Sequence, residues 1–306
     1  MAVNSLFALA DIGGKGYNVN LGARMDQIST MPAGSNSYVY PSASLAFIPT
    51  DFMKKNNTLN FLKIRASYAQ VKGGLTSPTI GPAGYPIGYG EAYSSPYDGP
   101  SYQNNTVYST GFFYNNQTGA TYGNELSNPN LNPSETSQTE FGMDLRLLKN
   151  RIAIDAAYFI SNDGPSIFSL PISSTSGYTS ALVNGIKTQK KGYEISVTGT
   201  PIQIADFSWD VLANYSTFEQ TLTEIYPGIT SLNTFLKVGD RTDKIYGSAF
   251  VRTPAGQIIN TSGGIPERLT GTQSQYLGNT NPDFVFGFNN KFTYKNVSLS
   301  VLLDGR

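Results

Sequence analysis

Apolar and polar residues alternate one for one along much of the chain. In "YNVNLGARMD", Tyr17, Val19, Leu21, Ala23 and Met25 fall on one side, with Asn18, Asn20, Arg24 and Asp26 on the other. "LKIRASY" sets Leu62, Ile64, Ala66 and Tyr68 against Lys63, Arg65 and Ser67. "EFGMDLRLL", "IAIDAAYFI", "FSWDVLANYS", "FVFGFNNKFTY" and "VSLSVLLDGR" repeat the pattern, as does the end of "SGYTSALVNGIKTQKKGYEISVTGTPI". A period of two belongs to a strand whose faces meet different surroundings, and no segment carries the period of a core-length helix. The pattern predicts about ten strands, near residues 2–11, 17–26, 38–48, 61–71, 135–147, 151–161, 192–200, 207–221, 284–294 and 297–306.

These strands are long. Each approaches the ~9–11 residues that cross a bilayer at a tilt, whereas globular strands centre on ~5–6. The predicted connections alternate in length. Gly13–Gly16, Leu148–Asn150, Thr200–Asp206 and Lys295–Asn296 are short, while 27–37, 72–134, 162–191 and 222–283 are longer. Short turns at one end and long loops at the other is the arrangement of outer-membrane barrels. A compact soluble domain rarely carries unstructured loops beyond ~12–15 residues. A small hairpin is expected near "TVYSTGFFY", and another within 222–283.

Composition narrows the function classes. Charged residues make up 14% of the chain, well below the usual ~25%. Net charge is zero and no basic block occurs, so nothing points to nucleic acid. There is no Cys, which excludes disulfides, thiol nucleophiles and Cys-based zinc sites. There is no His, the commonest general base and transition-metal ligand. No apolar run reaches ~18 residues, so a membrane-spanning form has to be a closed barrel.

Candidate chemistry is sparse. "GGKG" lacks the spacing of a phosphate-binding loop and reads as a turn. Asp240 with Asp243 offers oxygen ligands for calcium without regular loop spacing. Asp144, Arg146, Asp155 and Glu194 are expected on a polar, lumen-facing side. Tyr17, Tyr68, Tyr158, Phe159, Tyr215, Phe284, Phe292 and Tyr294 lie near strand ends, as interfacial girdles require. The loop "GYPIGYGEAYSSPYDGPSY" presents Tyr85, Tyr89, Tyr93, Tyr97 and Tyr102. With Tyr178 these are the candidate contacts for a ligand or a lid. No catalytic, cofactor-binding or metal-binding residue is assigned.

Three stretches carry a specific resemblance. In "NPNLNPSETSQTEFGMDLRLLKNRIAIDAAYF" they are Asn128, Pro129, Leu131, Gly142, Asp144, Asn150, Arg151, Tyr158 and Phe159. In the segment from Ser176 to Ile202 they are Ser176, Gly177, Tyr178, Ser180, Asn184, Lys191, Gly192 and Glu194. In "YLGNTNPDFVFGFNNKFTYKNVSLSVLLDGR" they are Gly278, Asn281, Pro282, Gly287, Tyr294, Lys295, Asp304, Gly305 and Arg306. Together with "LKIRASYAQ" and "IYGSAF", they make the chain resemble the SusC/RagA-like branch of the TonB-dependent outer-membrane receptors. It departs from that pattern at Pro133, where an aromatic is usual. It departs again at Gly185-Ile186, where the order is reversed, and at Lys190, which replaces a common Asn.

The resemblance implies an all-β fold: an antiparallel up-and-down transmembrane β-barrel with long extracellular loops. The family barrel has 22 strands and an N-terminal plug. Residues 1–306 then read as a single partial barrel domain of about ten strands from the C-terminal half, with the plug absent. The implied role is nutrient import across the bacterial outer membrane, taking oligosaccharides or peptides with a SusD-like surface lipoprotein and driven by TonB through the plug. No cofactor and no enzymatic step are implied. The rival expectation is a secreted or surface all-β glycan-binding protein or adhesin, whose apolar faces would pack together in a core.

Overall fold

A computed structural model describes residues 3–29, 31–54, 56–73, 104, 108–271 and 274–306. Ten long strands dominate it: β1 (Val3–Gly14), β2 (Tyr17–Ile28), β3 (Ser37–Phe47), β4 (Leu59–Gly73), β5 (Ser134–Leu147), β6 (Ile152–Asp163), β7 (Lys187–Ile204), β8 (Phe207–Glu224), β9 (Val285–Tyr294) and β10 (Val297–Gly305). They hydrogen-bond in chain order, each to the next, as a ten-stranded sheet. All ten expected strands are present. Two expected turns are shorter than the sequence reading placed them. β1 continues through Gly14, leaving Lys15–Gly16 as the turn, and β7 continues through Ile204, leaving Ala205–Asp206. Glycine and proline do not end a strand whose ladder partner is already fixed by register.

The chain forms two compact units. The first comprises Met1–Phe52, Lys63–Phe141 and Ser161–Lys187; the second comprises Met53–Leu62, Gly142–Ile160 and Thr188–Arg306.

In the first unit, register sorts the side chains, because directly paired residues of an antiparallel ladder share a face. One face carries successive rows Leu6/Met25/Val39, Ala8/Ala23/Pro41, Ala10/Leu21/Ala43/Tyr68, Ile12/Val19/Leu45/Ala66 and Gly14/Tyr17/Phe47/Ile64. Every one of these positions is apolar, aromatic or glycine. The opposite face carries Ser5/Asp26/Tyr38, Asp11/Asn20/Ser44/Ser67 and Gly13/Asn18/Ala46/Arg65. The β3–β4 ladder stops at Ser42↔Ala69, next to Pro41, which has no N–H to donate.

In the second unit, β8, β9 and β10 repeat the arrangement. Phe207/Tyr294/Val297, Trp209/Phe292/Leu299, Ala213/Phe288/Leu303 and Tyr215/Phe286/Gly305 make the apolar face. Ser208/Thr293/Ser298, Asp210/Lys291/Ser300 and Asn214/Gly287/Asp304 lie opposite. The one amide on the apolar side, Asn290, is buried and accepts a hydrogen bond from Trp209 Nε1 at 3.1 Å. Rings also fill the space over glycines on neighbouring strands. A Cβ at Gly305 would run into Phe286, and one at Gly14 would lie 2.6 Å from Tyr17.

The apolar faces are not a protein core. Among the described residues only eight apolar side chains are buried, and none is a sheet-centre residue from these rows. Leu6, Leu299 and Val297 are instead at least 60% exposed. Each such side chain left in water forgoes roughly 1.5–3 kcal/mol of burial. A soluble sandwich would have recovered that by packing sheet on sheet. Lipid recovers it without a second sheet, and the polar face then meets the lumen.

Candidate functional site

The site-bearing parts are the polar strand faces and the loops above them. In the first unit's polar face, Arg24 Nε donates to Asp26 Oδ1 at 2.8 Å and Arg24 Nη2 to Ser5 Oγ at 3.1 Å, while the Tyr40 hydroxyl donates to Asp26. In the second, Asp155 and Glu194 border a hollow of about 440 Å³ with Asn214, Ser216 and Asp304. Asp155 and Glu194 therefore lie on the polar face, as their alternation phase requires. Arg146 sits 3.5 Å from Asp144 and lies 4.9 Å over the Phe61 ring.

Phe159 is a correction. It was expected in an interfacial girdle. It lies instead on the polar side, beside Gly192, where a Cβ would sit 2.7 Å from Phe159 Cζ. Lys190 spans this ring at 5.9 Å and the Phe218 ring at 4.4 Å. Gly192 is the glycine of the Lys-Gly-x-Glu motif, and its missing side chain is what seats Phe159. Girdle rings do occur elsewhere in the unit. Tyr193 stacks on Tyr215 at 5.9 Å and Tyr215 on Phe284 at 6.0 Å, while Trp209 stacks on Phe292 at 5.9 Å near the opposite end. Eight residues separate Tyr215 from Phe207, roughly 27 Å of strand, which matches a tilted crossing of the apolar band.

In the first unit, loop residues close over a small core. Leu131 is fully buried among Ile28, Met31, Tyr38 and Leu182. Three amide side chains tie the backbone around it. Asn184 Nδ2 donates to Asn132 O at 2.7 Å, and Asn184 Oδ1 accepts from Asn132 N at 2.8 Å. Asn104 holds both backbone groups of Asn128 in the same manner, at 2.6 and 2.7 Å. Asn128 Oδ1 accepts from Asn130 N at 2.9 Å. Several motif residues thus build structure: Asn128 shapes the turn, Leu131 fills the core, and Asn184 binds one motif to the other. Ile186 follows Gly185 with a φ of +49°, a region a β-branched residue adopts only under strain.

A hairpin projects from this assembly, strands Tyr108–Tyr114 and Gln117–Tyr122, where "TVYSTGFFY" foretold it. Asn115 and Asn116 both have positive φ (50° and 59°), as a tight hairpin turn requires. Tyr108 and Tyr122 face each other with ring centroids 4.7 Å apart. The Tyr122 phenol hydrogen-bonds Tyr108 and holds its pKa above the usual phenol range, with a smaller contribution from Tyr178. Tyr178 stands in the neighbouring loop, after the turn Ser174–Ser176 that Gly177 caps with φ +84°. Thr179 N donates to Asn124 O at 2.9 Å, and Ser180↔Glu125 continues as a parallel pair. That bond brings Tyr178 to the foot of the hairpin. Tyr108 and Tyr122 were missed as candidates; their pairing across a hairpin was the signal. Tyr85, Tyr89, Tyr93, Tyr97 and Tyr102 lie outside the described residues.

In the second unit, the loop between β8 and β9 is tied by charge. Where a small hairpin was expected it holds two antiparallel pairs, Lys244–Gly247 with Gln275–Asn279 and Ala249–Phe250 with Arg268–Leu269. Arg241 Nε and Nη2 grip Asp243 at 3.0 and 2.9 Å, and Nη1 reaches Asp283 at 2.8 Å. Lys244 Nζ donates to Asp240 Oδ1 at 2.6 Å, while Lys237 N donates to Oδ2 at 2.9 Å. Asp240 and Asp243 are therefore both held below the usual carboxylate range, by Lys244 and Arg241 respectively. Their oxygens are taken up by these donors, which accounts for the pair without a calcium ion.

The sequence model for "TonB dependent receptor-like, beta-barrel" matches residues 2–300. TonB-dependent receptor P3 of Formosa agariphila is 24% identical over 94% of this chain and 30% of its own length. TonB-dependent receptor P39 of the same organism is 26% identical over 64% of the chain and 17% of its own length. The chain thus spans about a third or less of these relatives. Among solved structures, the RagAB peptide importer in its open-open state superposes with a TM-score of 0.73 at 18% identity, over 98% of this chain and 32% of that one. At that identity the likeness is one of fold.

Proposed function

The chain belongs to the TonB-dependent receptor β-barrel family, a family of outer-membrane proteins, and from that premise we propose that it forms part of the wall and outer loops of a nutrient importer. The observation that carries this reading is the strict division of faces: rows of apolar side chains suited to lipid, and opposite them Asp155, Glu194, Asn214, Asp304 and Lys291 suited to a watery passage. The cargo class is oligosaccharide or peptide. Residues 1–306 act as one partial barrel domain, contributing ten strands of a larger barrel. A SusD-like surface lipoprotein captures the cargo with the outer loops, and TonB acts through a plug that is not part of these strands. Tyr178, with Tyr85, Tyr89, Tyr93, Tyr97 and Tyr102, contacts ligand or lipoprotein. No catalytic step is assigned to the chain.

The test uses the whole receptor in its own bacterium. Deleting its gene should abolish uptake of at least one class of labelled oligosaccharide or peptide. The detergent-extracted receptor should bring down a surface lipoprotein. Unchanged uptake of both cargo classes, with no lipoprotein recovered, would overturn the reading.

A further inference from the structure

The salt bridges of this chain avoid one end of the strands. Arg24, Arg65, Lys72, Arg146, Arg241 and Lys244 each pair with a carboxylate, and all stand on strands or in the β8–β9 loop. The connections opposite the long loops differ. Among the described residues they hold Lys15 in the first unit, and Lys54, Lys149, Arg151 and Lys295 in the second, against Asp51 and Asp206. All five basic side chains are exposed, and none makes an ion pair among the described residues. Turn geometry does not call for them. Lys149 and Lys295 take positive φ (59° and 50°), where asparagine is the more favoured residue.

Backbone bonds lace these turns together. In the first unit Ile48 N donates to Gly16 O at 2.7 Å. In the second, Leu148 N donates to Thr58 O at 2.9 Å, Lys149 N to Asn57 O at 3.1 Å and Lys295 N to Asp206 O at 2.8 Å. Rings lie under two of the cations. Lys15 Nζ is 5.8 Å from the centre of the Phe52 ring, which stacks on Phe47 at 5.9 Å. Lys295 Nζ is 5.5 Å from the centre of the Tyr294 ring. Phe47 and Tyr294 belong to the last apolar row of their units, and Phe52 and Tyr294 are 58% and 57% exposed. Rings at the end of an apolar band mark a membrane interface, and lysine stems reach past them to set the ammonium at headgroup level.

We propose that this basic rim binds the phosphate groups of anionic phospholipids in the inner leaflet of the outer membrane. Short turns face the periplasm in such barrels, which puts the rim at that leaflet. The exposed, uncommitted cations supply the opposite charge, and the rings beneath them fix the depth at which they meet the bilayer. Strung along successive turns, they suit an extended charged surface better than a single small anion. This binding depends on the barrel's place in the outer membrane and not on its cargo.

The experiment reconstitutes the purified whole receptor in phosphatidylcholine bilayers with trace spin-labelled phosphatidylglycerol or phosphatidylcholine. It reads the fraction of each label immobilised at the protein. Phosphatidylglycerol should be favoured about 3-fold, and the preference should fade at about 1 M salt. Lys15→Gln, Lys54→Gln, Lys149→Asn, Arg151→Gln and Lys295→Asn together should remove at least about half of the preference. Arg252→Gln with Arg268→Gln, in the β8–β9 loop, should leave it unchanged. Barrel heat-stability on gels checks that both variants fold. Where the fivefold variant fails that check, Lys15→Gln with Lys295→Asn carries the same test. Equal immobilisation of both lipids by the parent, or an unchanged preference in the rim variant, overturns the proposal. So does loss of the preference when inorganic phosphate is added at constant ionic strength, which would make the rim a small-anion site. An unchanged lipid preference with lost binding to purified peptidoglycan would give the rim to the cell wall instead.

Discussion

The two long-loop assemblies solve one problem by opposite means. In the first unit, Leu131 and its apolar neighbours exclude water, and Asn184 and Asn104 hold backbone groups with neutral amides. In the second, Leu222 and Ile225 are buried, but the fixing is ionic, through Arg241, Asp243, Asp283, Lys244 and Asp240. A long loop has to be anchored near its base if its tip is to present residues in a set position. Ionic anchors are directional and bidentate, yet they respond to pH and salt. The ionic assembly is therefore the more sensitive to conditions.

This contrast can be broken from its core outward. Leu131→Ala should have the largest effect, about 3 kcal/mol lost from the first assembly. Hydrogen exchange on the whole receptor should show faster opening at 125–133 and 180–186, with no change at 237–243. Arg241→Ala should cost the second assembly about 2 kcal/mol, because Asp243 is left mostly buried without its partner. Exchange should then rise at 237–243 and 279–283 only. Equal loosening of both assemblies by either variant would erase the distinction.

Acid should sharpen it. Asp240 and Asp243 have folded pKa values below those of the unfolded chain. Their stabilisation is complete above the unfolded value of about 4 and is lost as pH falls through the depressed folded values. Lowering pH from 7 towards 3 should loosen 237–243 before 125–133, read by exchange or limited pepsin cleavage. The smallest effect belongs to Ile186→Gly. Relieving the positive φ should stabilise the junction before β7 by about 0.5–1 kcal/mol, seen as slower exchange at 184–188. A loss of stability there would show that the isoleucine side chain contributes more by packing than it loses by strain.

Much of the wall was legible from residue order alone. A lipid-facing strand has to alternate, so Tyr17 to Met25 and Phe207 to Tyr215 declare their faces without any knowledge of partners. The hairpin at Tyr108–Tyr122 was legible from the stretch "TVYSTGFFY", and the structure closes it through the positive φ of Asn115 and Asn116. The motif resemblance located Leu131, Asn184 and Gly192, but gave no physical reason for them. Phe159 was misread because an aromatic at a strand end fits a girdle equally well. What redirects it is the vacancy at Gly192, on another strand. The pairing of Asp240 and Asp243 with Lys244 and Arg241 looked like spare carboxylates because alternation says nothing about which way loop side chains turn.

The sequence by itself determined the strands, their order and the two faces, which follow from local periodicity and short turns acting over a few residues; the family was carried by the motif resemblance. Tertiary structure alone decided which motif residues touch. It set Asn184 on Asn132, Phe159 over Gly192, and Arg241 between Asp243 and Asp283. These contacts join residues far apart in the chain, and their geometry is fixed only when register and loop closure bring them together.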